Sequence, residues 1–279
     1  MSQPLQRFIA VDWSGDRTSS GQRKKIWIAD WHSGRVSLQS GMNRQKTTEY
    51  LAEAAGESKH LVVGLDFAFS FPAWFVNERA SRDAEEFWRV VKSEGETWLS
   101  EPHPHFWGKS KGSCCPPGHH QLDGLGFRVT ERALLRNRGK GLQPKSAFKI
   151  GGAGSVGTGS VRGIPYLLDL KRAGFSVWPF DSPLLPLAVE IYPRLFTGNT
   201  VTSQGSARGA HLAHPRYRDI PEEIRANAQN SEDAFDALCS VVGMKEHGEE
   251  FANLAQETDP TLKLEGRIWC PRSTGNGGL

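Results

Sequence analysis

The chain has 279 residues, of which 38% are hydrophobic and 23% charged, and its formal net charge is +3. That length supplies one large domain or two small ones, and the composition excludes collagen-like, coiled-coil and wholly disordered classes. Its longest apolar stretch, residues 61–76, contains Asp66 and Pro72 and is too short and too polar for a membrane span.

In chain order, three strands come first. Residues 8–13 (FIAVDW) are an apolar run that ends on a carboxylate, and SGDRTSSGQ reads as a turn. Residues 25–31 (KIWIADW) alternate, and HSG turns the chain into 35–40 (RVSLQS). Short polar connections between such runs predict an antiparallel meander. Residues 47–57 (TTEYLAEAAGE) carry a Thr cap and helix formers and predict a helix. Residues 60–67 (HLVVGLDF) are continuously apolar, which suits a buried central strand.

From 71 to 163 the pattern loosens, and this stretch is expected as a large inserted cap within a single domain spanning 1–279. Helices are predicted at 82–99 and 130–139, with a Pro-, Gly-, His- and Cys-rich loop between them and a Gly-rich segment at 148–163. Residues 162–174 read as a helix with Pro165 in its first turn. Two further strands are expected at 175–180 and 187–196, helices at 231–244 and 248–255, and a short strand at 265–271.

The candidate chemistry lies in acids that interrupt or flank apolar sequence, where a charge is costly. Asp12 ends the first strand, Asp66 nearly ends the fourth, Glu190 lies inside LAVEIYP, and Asp233 and Asp236 share one face of the helix SEDAFDALCSVVGM. Singly, each has a bland role: a turn for Asp12, a backbone bond for Asp66, pairing with Arg194 for Glu190, and the helix dipole for Asp233. Converging acids repel one another unless a cation neutralises them, and hard Mg²⁺ or Mn²⁺ prefers such all-oxygen ligands. Paired ions of this kind activate water and stabilise a leaving oxygen in phosphoryl hydrolysis.

The order of three antiparallel strands, a helix and a fourth strand resembles the ribonuclease H-like fold, a mixed α/β sheet in which strand ends and a late helix carry the acids. More closely, VDWSG, GLDFAFSFP, PHFWG, FKIGGAGSVGTGSVRGIPYL, WPFD, EIYPRLFTG, SEDAFDALCS and EGRIWCP resemble Domain of Unknown Function 429, whose members are described as predicted ribonuclease H-like nucleases. The resemblance implies Asp12, Asp66, Asp233 and Asp236 as a metal-binding centre, with Glu190 a weaker member. It also implies a nuclease or phosphodiesterase acting on DNA or RNA with Mg²⁺ or Mn²⁺.

Lys149, Ser160, Arg162 and Arg194 are the phosphate-contacting candidates, the first three in or beside the Gly-rich segment, whose alternative is a plain linker. The basic excess of 126–225, with 15 Lys and Arg against 7 Asp and Glu, suits a phosphate-rich partner, although solvated surface charge gives the same imbalance. The loop holding His103, His105, Cys114, Cys115, His119 and His120 lacks CxxC spacing, so packing is favoured there over a zinc site. The four cysteines form no paired motif, and no secretory pattern opens the sequence, so a cytoplasmic setting is expected. Two other classes stay open. One is a nucleotide-binding phosphotransferase or phosphatase of the sugar-kinase and actin-like branch, and the other is a non-catalytic nucleic-acid-binding scaffold.

Overall fold

The computed structural model describes residues 7–79, 82–101, 104–109, 114–119, 121, 124–136, 142–152 and 154–272. β1 (Arg7–Asp12) pairs antiparallel with β2 (Trp27–His32), which pairs antiparallel with β3 (Arg35–Gln39). Ser33 and Gly34, both at positive φ, make the two-residue turn that matches the right-handed twist of the flanking strands. α2 (Arg44–Glu57) then carries the chain to β4 (Leu61–Leu65), which lies parallel to β1. β6 (Leu187–Glu190) adds in parallel beyond β4, and β5 (Ser176–Val177) closes the edge, giving the order β3-β2-β1-β4-β6-β5. The continuously apolar LVVGL sequence is buried at every position of β4, as a strand covered on both faces requires.

Alternation along the strands sorts their residues into two cores. Ile9, Val11, Val63, Leu65 and Ala188 face α2, α4 (Ala84–Ser100) and α6 (Gly157–Arg172). Phe8, Ala10, Val62, Leu187 and Val189 face α10 (Glu232–Glu246), which packs across β1 and β2. Gly64 lets α10 come close: a Cβ there would lie 2.7 Å from both Ile191 Cγ2 and Met244 Sδ. The segment 71–163 contributes Phe71, Phe75, Phe87, Trp88, Phe106 and Phe148 to the same cluster as Ile9 and Val11, so it shares a core with the sheet. It holds α3 (Ala73–Glu78), α4, α5 (Val129–Arg136) and the first turns of α6. Among the described residues, no helix is long and apolar enough to cross a membrane.

Several elements depart from the sequence expectation. α1 (Ser19–Lys25) begins within SGDRTSSGQ, expected as a turn, nucleated where Thr18 Oγ1 accepts from Gly21 N and Asp16 Oδ1 accepts from Thr18 N. α6 starts within the Gly-rich segment and places Pro165 in its interior, not its first turn. The strand expected at 187–196 stops at Glu190, and α7 (Arg194–Thr197) follows. The strand expected at 265–271 is reduced to a bridge between Ile268 and Glu190, with Trp269 N donating to Glu190 O at 2.8 Å. α3, α8 (Gly205–Leu212), α9 (Glu222–Asn230) and α12 (Pro260–Glu265) lie where the sequence pattern predicts no element, whereas α11 (Gly248–Ala252) falls within the helix expected at 248–255.

Candidate functional site

Val11 and Leu65 are register partners, and Asp66 N donates to Val11 O at 3.1 Å. Asp12 and Asp66 are the next residues on adjacent parallel strands, so they sit side by side at the strand ends. Their alternation parity is that of Phe8 and Ala10, which points them to the face that α10 covers. α10 begins there. Ser231 caps it by accepting from Ala234 N at 3.3 Å, which sets Glu232 and Asp233 in the first turn and Asp236 one turn on.

The electrostatics show that these acids sense one another. Burial raises the Asp12 carboxyl well above its ordinary value, and Asp66, Asp233, Asp236 and Glu232 raise it further. Burial likewise raises Asp66, followed by Asp236, Glu190 and Asp233. Asp236 is pushed up to about 7, chiefly by burial and then by Glu232, with Arg194 and Arg208 pulling the other way. Burial and Glu232 raise Asp233, while Lys25 opposes them.

Among the described residues, none of these four carboxylates makes an ion pair or a side-chain hydrogen bond, and Asp236 Oδ1 is buried with no partner. Asp16, Asp30 and Asp181, by contrast, are bonded to Lys25, Arg7 and Lys171. Four partly exposed acids with clustered, uncompensated charge form an all-oxygen donor set of the kind hard divalent cations take. As placed, no group of three or more His, Cys, Asp or Glu side chains among the described residues is arranged to hold a metal ion. The orphaned oxygen and the raised carboxyls mark uncompensated negative charge at this end of the sheet.

Glu190 acts on Asp66 electrostatically but is turned to the other face of the sheet and paired there. It is the register partner of Leu65, so strand alternation turns it to the opposite face of the sheet. There Arg128 donates to Glu190 Oε1 at 2.5 Å and to Oε2 at 2.9 Å, and Phe69 N donates to Oε2 at 3.0 Å. Its partner is therefore Arg128 and not the expected Arg194. Arg128 also bonds Glu131 and the backbone of Glu265, tying the long 71–163 segment to β6.

Of the four phosphate candidates, Arg194 is among the charges acting on Asp236. Ser160 is fully buried, donating to Val156 O and accepting from Ala68 N at 3.1 Å, so its hydroxyl is occupied by the fold. Arg162 pairs with Glu96 and donates to Gly15 O. The backbone of Lys149 bridges Trp107 and accepts from Gly157 N, and neither Lys149 nor Arg162 is among the charges acting most strongly on the acids.

Four participants escaped the sequence reading. Glu232 neighbours Asp233 but interrupts no apolar run. Lys25 and Arg208 stand far away in sequence. Tyr192 is pushed up to about 12 mainly by burial and feels Asp66 and Asp236. In the Cys- and His-rich loop, His103 and His120 lie outside the described residues, and the His105 and His119 rings stack 5.5 Å apart beside Trp74. Comparison with family models, with curated proteins and with solved structures returns no match to this chain.

Proposed function

We propose that the chain is a divalent-metal-dependent nuclease or phosphodiesterase of the ribonuclease H-like kind, related to Domain of Unknown Function 429, with DNA or RNA as substrate. The observation that carries this reading is the group Asp12, Asp66, Asp233 and Asp236. These carboxylates come from two adjacent strand ends and one helix, all are raised by burial and neighbouring acids, and none has an ion-pair partner among the described residues. The strand order supports it, because an antiparallel meander followed by parallel strands puts Asp12 and Asp66 at neighbouring carboxyl ends. Four free cysteines fit a cytoplasmic setting.

Asp12, Asp66 and Asp236 would hold Mg²⁺ or Mn²⁺, with Asp233 and Glu232 beside them. When bound, such ions supply Lewis acidity and a water acidified enough to attack phosphorus. Asp236, with its carboxyl near 7, must give up its proton to join the set. Arg194 and Arg208, the cations that act on Asp236, would offset negative charge developing on the phosphate. Glu190 stays out of the chemistry as the buried counter-ion of Arg128.

The test is cleavage of end-labelled single-stranded, duplex and branched DNA and RNA with Mg²⁺ or Mn²⁺ and with EDTA. The expected result is metal-dependent cleavage that Asp12→Asn lowers by about 100-fold or more. No cleavage of any substrate, or a loss under about tenfold in Asp12→Asn, defeats the proposal.

A further inference from the structure

On the sheet face opposite the acids, a cavity of about 290 Å³ opens between α2, α4 and α6. Its basic lining consists of Arg44, Lys92 and Arg162, and its acidic lining of Glu96 and Asp169. Both acids are already committed. Glu96 accepts from Arg162 Nε at 2.7 Å and Nη2 at 2.9 Å, and Asp169 accepts from Arg172 at 2.6 Å.

That leaves Arg44, which is only 8% exposed. Its Nη1 donates to the carbonyls of Ser14 and Asp16, each at 2.8 Å, and the Tyr166 hydroxyl is among the groups that act on its charge. Among the described residues it has no carboxylate within ion-pair distance. Lys92, exposed at the rim, has none either. The cavity therefore keeps surplus positive charge around a guanidinium that water reaches poorly, and such a guanidinium favours an anion. A guanidinium held in place by backbone carbonyls, joined by a mobile ammonium, suits the several oxygens of a phosphate better than a single carboxylate. Tyr166, Pro165, Val91 and Val161 supply an apolar wall, and the volume is close to that of the smallest ligand pockets, about 300 Å³.

We infer that this cavity is a binding site for a small organic phosphate monoester of about mononucleotide size, its phosphate on Arg44 and Lys92 and its body against Tyr166. The inference is independent of the acid cluster. It also places a ligand against the loop that follows Asp12, because Arg44 and Arg162 hold the carbonyls of Ser14, Gly15 and Asp16.

The experiment is calorimetric titration of the full chain, in EDTA, with a nucleoside monophosphate and with inorganic phosphate. Saturable binding of the monophosphate about tenfold tighter than phosphate is expected. Lys92→Glu, a substitution at an exposed position, should keep the thermal midpoint and weaken binding about fivefold or more, and Arg44→Gln should abolish it. Asp12→Asn should bind like the wild type. Absence of saturable binding, equal affinity for the two probes, or unchanged affinity in Lys92→Glu overturns the inference. Loss of binding in Asp12→Asn also overturns it, by assigning the anion to the acid cluster.

Discussion

Replacing Asp236 with Asn should make the protein more stable while removing its activity. Burial and Glu232 raise the Asp236 carboxyl from 3.8 to about 7, which at 1.36 kcal/mol per pKa unit sets about 4 kcal/mol against its ionised form. An acid whose carboxyl is raised on folding binds more protons folded than unfolded between these values. Its contribution is therefore fully present below about 4 and lost as pH rises through about 7. At pH 8 the folded protein bears the whole penalty, and Asn escapes it. No hydrogen bond is lost with Oδ1, which has none. Partial exposure and the lost attraction of Arg194 and Arg208 reduce the gain to roughly half, about 2 kcal/mol. For a chain of this size that is a rise in Tm of about 4–8 °C. Urea and thermal unfolding of wild type and Asp236→Asn, in EDTA at pH 8 and at pH 5, measure it. The gain should fall to about 0.8 kcal/mol at pH 5, where the folded carboxyl is protonated but the unfolded one is still ionised. A variant less stable than wild type at pH 8, or an equal difference at both pH values, would refute the reasoning.

Other expectations follow from the same contacts. Arg128→Met leaves Glu190 and Glu131 buried without their cation and should cost about 3–5 kcal/mol in urea unfolding, and adding Glu190→Gln should recover part of the loss. Ser160→Ala strips the Ala68 N–H of its acceptor and should cost about 1–3 kcal/mol, with metal-dependent cleavage keeping its KM because the hydroxyl is not a phosphate ligand. The cleavage rate at subsaturating Mg²⁺ should rise with pH through about 7 and then level, as Asp236 loses its proton. A rate independent of pH from 6 to 8 would place that proton outside the reaction.

How far the sequence reaches depends on whether a residue's environment is local. Asp12 and Asp66 stand out because a carboxylate at the end of an apolar strand is expensive, and Asp233 and Asp236 because they are three apart on a helix with an apolar side. Glu190 satisfies the same criterion and is nonetheless a structural counter-ion. Its face follows from the register of β4 with β6, and its partner lies 62 residues earlier, which no local pattern records. Glu232 was overlooked for the opposite reason, since it is exposed and breaks no apolar run.

The Gly-rich segment reads as a loop from composition, yet α6 begins inside it. There Gly163 lies under the Phe67 ring, where a Cβ would come within 2.7 Å, so tertiary packing uses glycine for close approach and overrides its low helix propensity. The strand order was legible because turn signals and apolar runs alternate clearly through residue 67. After that the aromatic-rich segment 71–163 packs by contacts distant in sequence, and pattern alone does not arrange it.

The central claim is that Asp12 and its neighbours hold a divalent cation. Calorimetric titration of Mn²⁺ into wild type and into Asp12→Asn/Asp236→Asn at pH 8 tests it directly. The account predicts saturable binding to wild type and none to the double variant, with both proteins folded and the variant at least as stable as wild type. No binding to wild type, or equal binding to both, would contradict it.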